Sequence, residues 1–222
     1  MSALATKLAI ASRDYRPERV IIALLPLAFG VLVALKVAGA FELSTGALIV
    51  IGVRLVVPLL IFRFWLVGGI IAMLTDLVDV ILIDLISLGG FGGEYAQIDK
   101  VLDSYYYVLE LVVALKWENP WTRLPAVALF VYRIIGAGLY EATETRIFLF
   151  FFPNLFENWW LFCVVAMKWW PHLVPKTAKG MVTAMVLLLL PKIPQEYLLH
   201  VAEAHPWGWT KEHILAPIGL KP

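Results

Sequence analysis

Charge is the scarcest commodity in this 222-residue chain: Asp, Glu, Lys and Arg together make up 16% of it, against 61% hydrophobic residues. So little charge, with a mean hydropathy of +0.83, excludes an ordinary soluble domain and points to a polytopic helical membrane protein. There is one cysteine, Cys163, which excludes an intramolecular disulfide and sits in the apolar run Leu161–Met167 as a small buried hydrophobe. A net charge of +1 means that bulk charge does not point to nucleic acid. No Walker loop, nucleophile elbow or zinc signature is present, and neither is an internal repeat or a low-complexity tract.

What the chain has in quantity is apolar runs. Val20–Ala40, Gly46–Leu88, Val101–Leu115, Leu124–Tyr140, Ile147–Met167 and Gly180–Leu190 follow one another with short connections. The last is too short to span at 1.5 Å per residue unless its helix continues through Pro191 and Pro194 towards His200. The expectation is an all-α transmembrane bundle of six membrane-spanning helices, or seven if the 43-residue run Gly46–Leu88, with Arg63 in its middle, crosses twice. Residues 1–19 form a basic segment, with Lys7, Arg13, Arg16 and Arg19, expected in the cytoplasm. No signal-peptide cleavage pattern follows the first apolar run. Residues 20–202 make the membrane domain, and residues 203–222 form a tail expected along the headgroups. Tryptophans 65, 117, 121, 159, 160, 169 and 170 cluster at the ends of apolar runs, as interfacial belts do.

Against that background the acids stand out. Asp76, Asp79, Asp84, Glu94, Asp99, Asp103 and Glu110 lie within one very hydrophobic stretch whose only basic residue is Lys100. An acid at membrane depth costs roughly 2.5–3.5 kcal/mol on insertion scales, so such residues face a site, a pore or a partner. Asp76 and Asp79 are spaced i, i+3, and Asp99, Asp103 and Glu110 fall within an arc of about 40° on one helix face. The connection Ser87–Glu94 reads SLGGFGGE, and its glycines permit a tight turn between the two helices. Such an array requires a positive counterpart. A divalent cation such as Mg²⁺, a proton or ion path, and ion pairing with Arg54, Arg63, Arg133 or Arg146 all meet that requirement. Arg133 lies deep enough to face the acidic stripe and to hold an anionic headgroup.

Thr75–Asp79 (TDLVD) and Ile98–Ser104 (IDKVLDS) resemble the two halves of the signature of the CDP-alcohol phosphotransferases, over about Leu74–Glu110. That signature reads Asp-x-x-Asp-Gly-x-x-Ala-Arg, then Gly-x-x-x-Asp-x-x-x-Asp. The resemblance implies six transmembrane helices and Asp76, Asp79, Asp99 and Asp103 as ligands of Mg²⁺ or Mn²⁺, with Asp103 also acting as the base. Arg133 and Glu110 would lie beside that site. It further implies transfer of a phosphoalcohol or phosphatidyl group from a CDP-linked lipid donor to an alcohol in phospholipid synthesis. The expected location, apart from the resemblance, is a bacterial inner membrane. Val80, Ile83-Asp84 and Tyr95 stand where the signature has Gly, Ala-Arg and Gly, so a divergent or inactive member is one expectation. The alternative is a non-enzymatic membrane protein whose carboxylates form an ion or proton path, or an interface with a partner subunit or a second copy. Elsewhere, Asn154 is placed to cap the helix after Pro153, and Glu196 and His200 are spaced i, i+4, which suits interfacial packing or metal ligation.

Overall fold

The computed structural model describes residues 44–85, 95–204 and 206–210, with Glu212, His213 and Ala216; at 45, 77–85, 95–97, 100, 206 and 207 it describes backbone alone. The expected span Val20–Ala40, the basic segment 1–19, the turn Ser87–Glu94 and half of the tail 203–222 lie outside the described residues.

All the regular structure described is helical. The Gly46–Leu88 run divides into α1 (Thr45–Val56), a 3-10 stretch (Val57–Phe62) and α2 (Trp65–Leu85). Ser44 caps α1 by accepting from the amide of Ala47 at 3.0 Å. Pro58 lacks the amide that an α-helix would use, and the chain tightens into i, i+3 bonding there before it reverses at Arg63-Phe64. The reversal brings α2 against the 3-10 stretch so closely that a Cβ at Gly68 would collide with the backbone of Leu60 and Ile61. The run is therefore a helical hairpin with Arg63 at its tip.

Then follow α3 (Tyr95–Ala114), α4 (Pro120–Thr143), α5 (Ile147–Phe151), α6 (Leu155–Trp169), α7 (Ala178–His200) and the short α8 (Pro206–Thr210). Helix α7 does run through Pro191 and Pro194 to His200, which gives the last apolar segment 23 residues. Three segments are long and apolar enough to cross a membrane, Pro120–Thr143, Ile147–Trp169 and Ala178–His200. Gly46–Phe62 and Trp65–Asp76 are shorter apolar helices.

Helix α6 is the centre, packing on α2, α3, α4 and α7. Phe156, Trp159, Trp160 and Cys163 on it are fully buried. Each buried indole needs a partner for its N–H. Trp159 donates to the carbonyl of Thr122 at 3.0 Å, and Trp160 to that of Glu110 at 2.9 Å. Trp160 also lies against Gly69, where an added Cβ would strike the indole. Trp159 and Trp160 are thus core residues and not members of the interfacial belt. The outward faces carry Ile49, Val53, Leu124, Val131, Val186 and Leu187, all exposed, a surface suited to lipid. The protein is an integral membrane protein.

One end of the bundle is basic. The Arg63-Phe64 turn meets the end of α3, where Lys116 Nζ lies 6.0 Å from the centre of the Phe62 ring. Asn119, at the start of α4, donates from Nδ2 to the carbonyl of Pro175 at 2.7 Å, which joins the loop before α7 to the same end. Arg63, Lys116, Arg123, Lys168, Lys176 and Lys179 gather there, and Glu118 is the only acid in the connecting turns. Asp76 and Asp103 lie 11 and 13 residues along their helices from that end, about 16–20 Å away at 1.5 Å per residue.

Two outcomes follow from this packing. Gly69→Val drives a branched side chain into Trp160, and its expected cost of about 1–3 kcal/mol would appear as a lowered melting temperature in detergent. In a Cys163→Ala background, Lys116→Cys and Arg146→Cys are expected to react with an impermeant maleimide from opposite faces of the membrane. Labelling of both from one face would contradict a spanning α4.

Candidate metal or ion-pair site

The first aspartate pair comes from α2 and the second from α3, and the described acids among them do converge. Ligand oxygens of Asp76, Asp99 and Asp103 all lie within 4.8 Å of one another. Helical periodicity accounts for half of this: Asp99 and Asp103 stack one turn apart on one face of α3. The remainder comes from the packing of α2 and α3 around α1. Tyr105 on α3 donates its hydroxyl to the carbonyl of Leu55 at 2.9 Å, which fixes α3 against α1 beside the cluster.

At the centre stands Arg54 of α1. Its Nη1 donates to Asp99 Oδ1 at 2.5 Å, and its Nη2 donates to Asp103 Oδ1 at 2.7 Å and to Asp76 Oδ1. The guanidinium side chain is 5% exposed, whereas the carboxylates of Asp76, Asp99 and Asp103 are 47%, 28% and 27% exposed. The cation is thus sealed inside while the acids reach the bundle surface, most openly at Asp76. Of the four arginines that the sequence offers as partners, Arg54 takes this place. Its planar fork can serve several carboxylate oxygens at once, which a lysine ammonium cannot do in the same geometry.

The donor set suits a hard divalent cation in chemistry and spacing: three carboxylates, with no nitrogen or sulfur ligand. Arg54 bonds the Oδ1 atoms, and each carboxylate carries a second oxygen. A divalent ion held by Asp76, Asp99 and Asp103 would share those groups with the guanidinium or displace it. Asp79 lies one helical turn beyond Asp76 on α2, with its side chain outside the described part, as is that of Asp84.

The two flanking residues separate. Arg133 lines a cavity of about 50 Å³ together with Asp103, Ser104, Tyr107 and Tyr140, so it does face the acidic site. Its Nη1 donates to the carbonyl of Phe152 at 3.0 Å, which the break between α5 and α6 leaves open. Glu110 is not brought to the cluster. It is fully buried in the core, and neither carboxylate oxygen finds a hydrogen-bond partner among the described residues. The stripe on α3 continues from Asp103 to Glu110 in direction, but two turns of rise carry Glu110 about 10 Å deeper, to the level of Trp160.

No family model matches the chain, nor does any curated protein or solved structure. The site therefore rests on its own geometry.

A second polar layer adjoins the cavity. Asn154 occupies the residue before α6 but makes no side-chain capping bond. Its Nδ2 donates instead to Tyr107 Oη at 2.8 Å and to Glu157 Oε2 at 2.9 Å, and its backbone amide donates to Glu196 Oε1 at 3.1 Å. Glu196 is buried and pairs with Lys192 and His200, each at 3.0 Å. The i, i+4 pair Glu196–His200 thus belongs to a packing network that holds α7 to the broken α5–α6 span. Asn154 was legible in sequence only as a cap, and nothing in the spacing of Asn154 and Glu157 connects them to Tyr107.

One cation against three acids makes stability asymmetric. Arg54→Gln strands the carboxylates and is expected to cost roughly 3–5 kcal/mol, as when one partner of a buried pair is removed. Asp103→Asn leaves two carboxylates on the guanidinium and is expected to hold or raise the melting temperature. Thermal unfolding of the purified variants in detergent at neutral pH checks both, and a larger loss in Asp103→Asn than in Arg54→Gln would refute the ranking.

Proposed function

We propose that the cluster formed by Asp76, Asp99 and Asp103 is the divalent-cation site of a phosphotransferase resembling the CDP-alcohol phosphotransferases, acting on a lipid-linked substrate. The observation that carries this reading is the convergence of three carboxylates from two helices at a place open to the bundle surface. A bound Mg²⁺ or Mn²⁺ would supply charge neutralisation for a pyrophosphate there. Asp76 and Asp99 would hold the ion there. Asp103 would take the proton of an acceptor hydroxyl, a role supported by its place beside the cavity shared with Arg133 and Ser104. The hydroxyl oxygen then bonds to the phosphorus of the donor, the bond from that phosphorus to the bridging oxygen breaks, and CMP leaves with the negative charge. Arg133 offers a cation to an acceptor or donor phosphate in the same cavity.

A second reading is favoured by Arg54. A buried guanidinium donating to all three carboxylates already supplies a positive partner, and the cluster then serves as an ion-pair lock in a non-enzymatic or inactive protein. Val80, Ile83-Asp84 and Tyr95, at positions where the resembled signature would approach the nucleotide, favour it too. So does the basic end: the positive-inside rule would turn that end to the cytoplasm and the acids towards the opposite face, away from cytidine nucleotides.

Release of CMP from CDP-diacylglycerol, with and without an added alcohol acceptor, separates the readings. On the enzymatic reading, release requires Mg²⁺ or Mn²⁺ and falls about 10²–10⁴-fold in Asp103→Asn, the usual worth of a general base. Folded protein that releases no CMP with either metal, and whose melting temperature ignores both, leaves the ion-pair lock.

A further inference from the structure

A cavity with charged walls lies at the other end of the bundle from the acids. It has a volume of about 430 Å³ and is lined by Arg63, Phe64, Trp65, Leu66, Val67, Val164, Met167 and Lys168. That size is within the range of small-ligand sites. Two of its walls come from elements far apart in sequence: the hairpin tip with the start of α2, and the last turn of α6.

Three features specify its occupant. The charged side chains in the lining are both cations, Arg63 and Lys168, and no carboxylate contributes. Among the described residues neither cation is joined to an acid. Arg63 lies over the Phe64 ring, with Cζ 5.2 Å from its centre, and Lys168 Nζ lies 5.8 Å from the centre of the Trp169 ring. Aromatic faces position the two charges without neutralising them. Phe64, Trp65 and Val67 are exposed, so the cavity opens sideways along an apolar wall and not into the core. Finally, the cavity lies where the spanning segment Ile147–Trp169 ends, at the level of phospholipid headgroups, with Trp65 and Trp169 as interfacial anchors.

We infer that this cavity binds one anionic phospholipid, with its phosphodiester between Arg63 and Lys168 and its acyl chains along Phe64, Trp65 and Val67. A soluble phosphate would gain the two charges but nothing from the apolar wall. A zwitterionic lipid would gain the wall while bringing its own ammonium against the two cations. Only an anionic lipid uses both surfaces. The site lies about 16 Å from Asp76 along α2 and is independent of any chemistry at the acid cluster.

Full-length protein in detergent, titrated with phosphatidylglycerol, phosphatidylcholine or inorganic phosphate and read by native mass spectrometry, tests this. Phosphatidylglycerol is expected to fill one site ahead of the other two ligands. Arg63→Gln/Lys168→Gln should weaken it by about thirtyfold, given the usual worth of two cations at a membrane surface. Met167→Trp, which fills the cavity and keeps both charges, should also abolish the tight site. Lys176→Gln/Lys179→Gln, which removes two other cations from the same end, should leave it intact. Equal binding of phosphatidylcholine, displacement by inorganic phosphate at similar affinity, or an equal loss in Lys176→Gln/Lys179→Gln would overturn the proposal, the last by reducing it to diffuse surface charge.

Discussion

A single buried guanidinium organises the first half of this bundle. Arg54 on α1 joins Asp76 on α2 to Asp99 and Asp103 on α3, and so ties together three helices that otherwise meet mainly through apolar side chains and two tyrosine hydroxyls, Tyr105 on Leu55 and Tyr106 on Gly69. In lipid, apolar contact between helices competes with equally apolar acyl chains, so polar and close-packed contacts decide which faces meet. The hairpin at Arg63-Phe64, the Gly68 contact with the 3-10 stretch and the Tyr105 bond to Leu55 all place Arg54 where the two aspartate-bearing helices converge. Whether a metal ion or the guanidinium is the operative partner, α1 must be in place for the site to exist.

The second half is held differently. Around α6 the directional contacts are indole N–H groups donating to backbone carbonyls and the Asn154–Glu157–Glu196 network, with Lys192 and His200 as the local cations. Tyr107 and Arg133 belong to both halves: each borders the cavity next to Asp103, and each bonds to the broken segment near Asn154. A shift of the α5–α6 break would therefore be felt at Asp103 through two separate hydrogen bonds.

Much of the fold was legible in the sequence because lipid imposes simple rules. Apolar runs gave α4, the α5–α6 span and α7 to within a few residues and the end of α3, which starts six residues before its run, and the extension of α7 through two prolines follows from the length that a crossing demands. The i, i+3 and i, i+4 spacings identified the acids, and the shortage of local cations signalled a distant partner. The choice of Arg54 over three other arginines was not legible, because it depends on where α1 packs, a three-dimensional matter with no periodic trace. Glu110 misled for a related reason: periodicity fixes the direction of a side chain but says nothing about which neighbour lies at that depth. Trp159 and Trp160 misled too, since an indole pair near the end of an apolar run has the same sequence appearance in a belt as in a core.

The order of residues along the chain has a consequence for biosynthesis. Arg54 enters the membrane before any of its described carboxylate partners, and Asp103 follows it by 49 residues. At synthesis rates of about 5–20 residues per second, that separation amounts to roughly 2–10 s. During that interval the partners of Arg54 arrive one by one, Asp76 first, and an arginine short of partners is costly at membrane depth. Stable partition of α1 into lipid thus has to wait for α2 and α3. The order of residues thus favours joint over stepwise insertion of the first three described helices.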